Sequence, residues 1–406
     1  MLKKLLKNFR KESKASYDDS ALMDTYTRLP VSFVRGEGSI LWDDDGKRYL
    51  DAVGGLAVTI LGHSHPKINE CISIQASKLL HVSNLYQVQE QSRLAKKFCE
   101  ISQMDKVFFA NSGAEANEAA IKIARRYGHN KGIDEPTIIT TKSSFHGRTM
   151  ATLSATDNQK IQAGFTPLLS DFLQVEFNNI DNIGEHASNQ NVVAVMVEPI
   201  QGEAGINVCD PGYLQSLRML CDEHGWLLIL DEIQTGMGRT GNWFAYQHEA
   251  ILPDIMTSAK GLANGMPIGA CAARGKAAEV LIPGSHGSTF GGNPLACQTA
   301  LTTIDVIEQE QLIEAAKNTG VFLKKQITQT VGTHPRVSEI RGKGMMLAIE
   351  LDRAYDNLAE LFLQAGLLAS ITKKGKVIRL LPAINISQSE AKSIARIIHN
   401  VIIKLD

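Results

Sequence analysis

Four short apolar runs in the middle of the chain each end on a residue that can carry chemistry, and this alternation limits the fold more than any other feature. Residues 107–110 run into Asn111, 192–197 into Glu198, 226–230 into Asp231, and 255–259 into Lys260. A fifth strand-like run spans 137–141. Helical stretches lie between them: 114–127, where Ala116, Ala120, Ile123 and Ala124 share a face, and a second around 214–223. Continuous apolar runs separated by helices predict an α/β fold with a parallel sheet covered on both faces. Ligands of such sheets sit beyond the carboxyl ends of the strands. The four end residues are therefore expected to share one edge.

The flanks read differently. Strand-like runs at 39–43 and 47–51 surround Asp44-Asp45-Gly46, a hairpin signal. Beyond Gln309 the pattern is helix, strands within 337–351, helix, strand at 377–381 and a last helix from Ser387, which together predict a separate α/β unit. The 406 residues exceed what one hydrophobic core usually covers, so two packed domains are expected. A net charge of −1 without a long run of one sign argues against a nucleic-acid or membrane partner. No stretch approaches the ~20 apolar residues that span a bilayer. The basic start, residues 1–14, reads as an exposed terminal helix rather than a signal or transit peptide. The 6 cysteines include no Cys-x-x-Cys pair, so neither a zinc site nor a redox motif is expected, and a reducing cytoplasm suits them.

Taken singly, the motifs are ambiguous. Asn111-Ser112-Gly113-Ala114 between strand and helix could receive an anion at a helix N-terminus, yet alone it is better read as an ordinary helix cap. Asp231 at a strand end needs a cationic partner, which a protonated pyridine nitrogen or a nearby Lys or Arg could equally supply. Lys260 at the sheet mouth is either a lysine of lowered pKa, nucleophilic towards aldehydes, or a snorkelling surface lysine. Two decoys are set aside. Residues 236–241 (GMGRTG) match a dinucleotide fingerprint by letter but lack the strand–turn–helix context. His63-Ser64-His65 has no carboxylate or cysteine at ligand spacing and reads as a turn.

Together the pieces resemble the class III aminotransferases of the fold type I pyridoxal-phosphate enzymes, and within them the acetylornithine aminotransferases most closely. The resemblance runs from residues 26–30 (YTRLP) to 379–382 (RLLP). The matching stretches are LGHSHP at 61–66, NSGAEANE at 111–118, SFHGRT at 144–149, EPIQGEAG at 198–205, DEIQTG at 231–236, AKG at 259–261, HGSTFGGNP at 286–294 and RGKG at 341–344. Any one can arise by chance; eight in order do not. The resemblance implies a large domain, residues 51–310, built on a mostly parallel sheet of seven strands between helices. It also implies a smaller α/β domain made from both termini, residues 1–50 and 311–406.

Its implied activity is pyridoxal 5′-phosphate-dependent transfer of the δ-amine of N-acetylornithine to 2-oxoglutarate, giving N-acetylglutamate 5-semialdehyde and glutamate, a step of arginine biosynthesis in the cytoplasm. Lys260 would carry the cofactor as a Schiff base and shuttle the proton; Asp231 would keep the pyridine nitrogen protonated. Gln234 would bond the phenolic oxygen and Phe145 would stack on the ring. Gly113 and Ala114, with Ser112 beside them, would hold the phosphate. Thr289, in the pair Ser288-Thr289, would reach the phosphate of a neighbouring subunit, so a homodimer with shared sites is implied.

Substrate choice would rest on Arg148 for the distal carboxylate, Arg379 for the carboxylate beside the reacting amine, and Glu203 as the partner that masks Arg379. Gly54-Gly55-Leu56 matches the acetylornithine enzymes, whereas ornithine enzymes carry a tyrosine nearby; Tyr26, against this, matches a tyrosine that contacts the α-amine in ornithine enzymes. Ornithine, succinylornithine, succinyldiaminopimelate and γ-aminobutyrate remain alternative donors on the same motifs. A protein that binds the cofactor without turnover is the alternative of a different class, and the intact set of Lys260, Asp231, Arg148, Arg379 and Glu203 argues against it.

Overall fold

The computed structural model describes residues 21–405, so the helix expected over residues 1–14 lies outside the described residues. The centre is a seven-stranded sheet: β1 (Lys106–Ala110), β2 (Thr137–Thr141), β3 (Phe172–Val175), β4 (Val192–Val197), β5 (Leu227–Asp231), β6 (Ile255–Ser258) and β7 (Gly269–Ala273). The spatial order is β1-β7-β6-β5-β4-β2-β3. β7 runs antiparallel to both its neighbours, β6 and β1, while the remaining pairings are parallel. Asn111, Glu198, Asp231 and Lys260 consequently reach the same edge, as expected from the apolar runs.

Both faces of the sheet are buried, and the two-residue period of the strands divides the core. In β5, Leu227 and Ile229 pack with the alanine-rich face of helix α1 (Gly113–Asn130), whereas Leu228 and Leu230 point to the opposite face with Leu214, Leu217 and Cys221 of helix α2 (Tyr213–His224). Alanines at 116, 119, 120 and 124 let α1 lie close on β6 and β7. The closeness matters at the edge: a Cβ on Gly269 would stand 2.1 Å from the Ser112 carbonyl, so the first residue of β7 has room only for glycine beneath the start of α1.

Two smaller sheets flank the large one. Phe33–Glu37, Ile40–Asp43 and Arg48–Asp51 form an antiparallel meander whose fourth strand, Leu367–Leu368, runs parallel to Arg48–Asp51 and comes from the far end of the chain. Gly46 takes a φ of 79° at the hairpin turn expected around Asp44-Asp45-Gly46, and Asp43 closes it by accepting from the Lys47 N–H at 2.8 Å. The other sheet, ordered Val337–Lys343, Met346–Leu351, Val377–Leu380 and Ser370–Thr372, is antiparallel throughout and carries Arg379 on its third strand. Ser387 and Glu390 form a reciprocal cap at the start of the last helix, Gln388–Ile402. No helix among the described residues is long and apolar enough to cross a membrane.

The dinucleotide-like stretch 236–241 forms turns after β5 instead of opening a helix. Its Arg239 is buried and donates from Nη1 to the carbonyls of Met345, at 3.2 Å, and Pro382, which ties the large sheet to the C-terminal one. At the histidine pair, His63 bonds Asp51 at 2.7 Å and His65 precedes the helix Pro66–Lys78.

Candidate active site

At the carboxyl edge of the large sheet a cavity of about 410 Å³ is lined by residues from every motif of the edge, among them Ser112, Phe145, Arg148, Glu203, Asp231 and Lys260. Asp231, the last residue of β5, is 4% exposed, so its charge depends on neighbours. Its Oδ2 accepts from Asn117 Nδ2 and from His146 Nδ1, both at 2.8 Å, and its Oδ1 accepts the Ile233 N–H at 3.1 Å. Asn117 is itself fixed: it donates to the His146 carbonyl at 2.7 Å and accepts from Thr257 Oγ1 at 2.8 Å. Burial by itself would lower the His146 pKa, but the hydrogen bond and charge of Asp231 raise it above the ordinary imidazole value. The imidazole Nε2 is buried without a partner among the described residues.

The anion end of the cavity is the start of α1. Ser112 caps the helix, its Oγ accepting the Glu115 N–H at 3.2 Å. The N–H groups of Gly113 and Ala114 precede any intrahelical acceptor and face the cavity edge with the positive end of an 18-residue helix. Lys260 follows β6 with a φ of 41°, a left-handed conformation that costs a non-glycine residue about 1–2 kcal/mol. Burial lowers its pKa, with Glu203 opposing and Arg379 reinforcing the shift. Its ammonium makes no hydrogen bond among the described residues.

These groups fit the cofactor expected from the sequence. The helix start offers N–H donors for a phosphate, Asp231 offers a held carboxylate for a protonated ring nitrogen, and Phe145 and Ile233 offer apolar faces. The Gln234 side chain lies against Gly202, where a Cβ would fall 2.0 Å from Oε1, and its Oε1 is a buried acceptor with no partner among the described residues.

Arg379 is 2% exposed and does not line the cavity; Glu203, which lines it, stands in front. Nη1 of Arg379 donates to Glu203 Oε1 at 2.8 Å and to the Gly202 carbonyl at 2.9 Å. Burial would raise the Glu203 pKa, yet the charge and hydrogen bond of Arg379 hold it below the usual carboxylate range. Arg148 is exposed, lies 5.8 Å from the Phe145 ring centroid, and forms no ion pair with a described carboxylate.

Not every expected residue reaches this cavity. Tyr26 is 72% exposed and lies near Arg28 instead, 5.9 Å from ring to guanidinium. Ser288 and Thr289 sit on a separate surface loop, where Ser288 Oγ accepts from Asn111 Nδ2 at 3.1 Å and Thr289 is exposed. Conversely, His146, Asn117 and Ile233 belong to the site although the sequence reading does not name them, and Glu198, expected at the sheet edge, lines the cavity. A signal exists for Asn117, which sits among Ala116, Ala120 and Ala124 on the face meant for the core, where an amide must find partners. Glu198 accepts the N–H groups of Phe145 at 2.9 Å and Gly202 at 3.4 Å, linking the ring-facing loop to the Glu203 loop.

Glu232, beside Asp231, is buried and accepts from the Thr235 hydroxyl and, at 3.0 Å, from the Tyr246 N–H. Burial pushes its pKa from 4.5 to about 7. The folded state therefore binds more protons than the unfolded one across that window, and stability falls as pH rises from about 4.5 to 7. Glu232→Gln removes this titration. Its stability relative to wild type is expected to improve when denaturant melts are moved from about pH 5 to about pH 8. A difference that stays constant, or moves the other way, rules out burial of this carboxyl as the cause.

The family model for Aminotransferase class-III matches residues 22–402. An acetylornithine aminotransferase of Nitrosomonas europaea is 53% identical over 376 residues, which cover 92% of this chain and 95% of that protein. Among solved structures, the ornithine aminotransferase of Toxoplasma gondii, described with partial occupancy of PLP at its active site, superposes with a TM-score of 0.92 at 32% identity over 98% of this chain and 96% of that one. Acetylornithine aminotransferase of Elizabethkingia anophelis superposes with a TM-score of 0.85 at 35% identity over 95% and 97%.

Proposed function

Because the chain belongs to the class-III aminotransferase family, we propose that it moves the δ-amino group of N-acetylornithine onto 2-oxoglutarate, producing N-acetylglutamate 5-semialdehyde and glutamate for arginine biosynthesis. One observation carries the reading: a single cavity pairs an open guanidinium, Arg148, with a masked one, Arg379 behind Glu203. A donor such as N-acetylornithine has a carboxylate only at the end far from the reacting amine. Glutamate has one at each end. A site serving both needs a permanent distal clamp and a proximal clamp that can be switched off, and the planar arginine fork suits both. The acylated donor is favoured over free ornithine by the 53% identity to an enzyme named for it and by the small residues at Gly54-Gly55.

Pyridoxal 5′-phosphate, when bound, supplies an aldehyde that exchanges amino groups and a ring that takes up the electron pair left when the carbon beside nitrogen loses a proton. The N–H groups of Gly113 and Ala114 beside Ser112 would hold its phosphate, Asp231 its ring nitrogen, Gln234 its phenolic oxygen, and Phe145 and Ile233 its faces. Lys260, whose pKa burial lowers, would take the proton from the donor's δ-carbon at Nζ and return it on the other side of the reaction. Arg148 would anchor the distal carboxylate throughout, and Glu203 would neutralise Arg379 while the ω-amine reacts.

The same reading includes a homodimer. Leu79, Leu80, Leu85, Tyr86 and Phe290 are 47–86% exposed, and the segment around Asn84 is bound to the 288–291 loop by hydrogen bonds of 3.0 Å to the Ser288 and Gly291 carbonyls. These exposed apolar residues support an interface there, which would carry Thr289 to the phosphate of the second subunit. The domain limits near residues 50 and 310 and a cytoplasmic location, which suits the unpaired cysteines, complete the proposal.

Glu203→Ala tests the masking role. It leaves Arg379 permanently open and unpaired, which favours glutamate and penalises N-acetylornithine, whose reacting carbon bears no carboxylate. In single turnover, the ratio of the two half-reaction rates is expected to shift towards glutamate by about 10- to 100-fold, roughly 1.4–2.7 kcal/mol. A ratio that stays put or moves towards N-acetylornithine removes Glu203 from this role.

A further inference from the structure

Masking explains how Arg379 is switched off, but not how its guanidinium stays aimed once Glu203 has left. Three of its five N–H groups are engaged: two on Nη1, to Glu203 and to the Gly202 carbonyl, and one on Nη2, which donates to Ser370 Oγ at 3.1 Å. Nε is buried and has no partner among the described residues. Removing Glu203 leaves two anchors on different terminal nitrogens, a main-chain carbonyl and a hydroxyl. Two such points fix the plane of the guanidinium; one would leave it free to swivel. Ser370 is placed for this by register, lying opposite Arg379 where the short strand Ser370–Thr372 pairs antiparallel with Val377–Leu380.

We propose that Ser370 is a positioning residue that holds the guanidinium of Arg379 ready for a carboxylate next to the reacting amine, and so sets how well the enzyme accepts α-amino acids relative to ω-amines. This rests on the reading of Arg379 as the proximal carboxylate clamp. A substrate carboxylate that displaces Glu203 then finds the Nη1 donor it vacates already oriented. Without the serine hydroxyl, part of the binding free energy goes into ordering the side chain. An ω-amine donor leaves Arg379 paired with Glu203 and is indifferent to the second anchor.

The test compares the cofactor-loaded Ser370→Ala and Ser370→Thr proteins with wild type in single-turnover half-reactions. Calorimetric titration with glutarate, an unreactive dicarboxylate, is run alongside. Ser370→Ala is expected to weaken apparent glutamate binding about tenfold, the scale of a hydrogen bond to a charged group, and to weaken glutarate in parallel. N-acetylornithine should stay within about twofold, and threonine, which restores the hydroxyl, should recover most of the loss. Unchanged glutamate and glutarate affinity overturns the proposal, as does an equal loss for both amino donors, which marks a merely structural role. Arg379→Ala is the companion measurement. If it weakens glutamate while Ser370→Ala does not, only the positioning role falls; if it leaves glutamate untouched, the clamp falls with it.

Discussion

Lys260→Ala is expected to cut turnover of N-acetylornithine by at least about 10⁴-fold, close to 5.5 kcal/mol of barrier, in a protein that still folds and still holds pyridoxal phosphate. The loss follows from geometry. Lys260 is the amine that the strand β6 delivers to the cavity, and burial lowers its pKa. Other cavity-lining side chains that could act as bases, Glu198, Glu203 and His146, are engaged: Glu198 with two backbone N–H groups, Glu203 with Arg379, and His146 with Asp231. Retention of the cofactor follows because the phosphate and ring contacts proposed for it come from α1, Phe145, Ile233 and Asp231. Product formation followed by chromatography, with cofactor content read by absorbance after dialysis, measures both. A variant that keeps more than about a tenth of the wild-type rate would mean that the proton is moved by a different residue.

Asp231→Asn is expected to keep the cofactor and lose about 10³-fold in rate, near 4 kcal/mol. The substitution preserves shape and one acceptor oxygen, so a hydrogen bond from Asn117 or His146 can survive. It deletes the charge that makes a protonated ring nitrogen tolerable in a buried site. A loss under tenfold would assign ring protonation to another group. His146 cannot readily take the part, because in the wild-type protein it donates Nδ1–H to Asp231 and is itself drawn towards the cationic form by that carboxylate.

The edge of the large sheet is legible in the sequence because it depends on strand ends, and strand ends are marked by the switch from apolar to polar residues. That rule alone brings Asn111, Glu198, Asp231 and Lys260 together. It cannot reveal β7. Its sequence, Gly-Ala-Cys-Ala-Ala, has no β-branched or aromatic residue, and its small side chains are explained by the closeness of α1, a tertiary fact. β3 and the strand Phe33–Glu37 are likewise missing from the sequence pattern. The pairing of Leu367–Leu368 with Arg48–Asp51 joins residues more than 300 positions apart, and no local pattern encodes it.

The site is legible to a similar depth. Residues at strand ends, or matched by resemblance, can be named, while others at the cavity, such as His146 and Ile233, cannot. His146 and Asn117 act on Asp231 through side-chain hydrogen bonds across elements, and Ser370 meets Arg379 only through strand register. Tyr26, named by resemblance, lies exposed away from the cavity. Thr289, also named by resemblance, is exposed and does not line the cavity.

N-acetylornithine, the proposed donor, is a δ-amine whose α-nitrogen is acylated. The most direct measurement is kcat/KM for N-acetylornithine, succinylornithine, ornithine, succinyldiaminopimelate and γ-aminobutyrate, side by side with 2-oxoglutarate as acceptor. The expected result is N-acetylornithine highest, with free ornithine at least about tenfold lower, some 1.4 kcal/mol, because its charged α-amine must be desolvated where the acyl group is neutral. γ-Aminobutyrate should be lower as well, since its chain is one carbon shorter between the carboxylate that Arg148 would hold and the reacting amine. Ornithine or γ-aminobutyrate turning over faster than N-acetylornithine would mean that the site is not matched to the acylated donor.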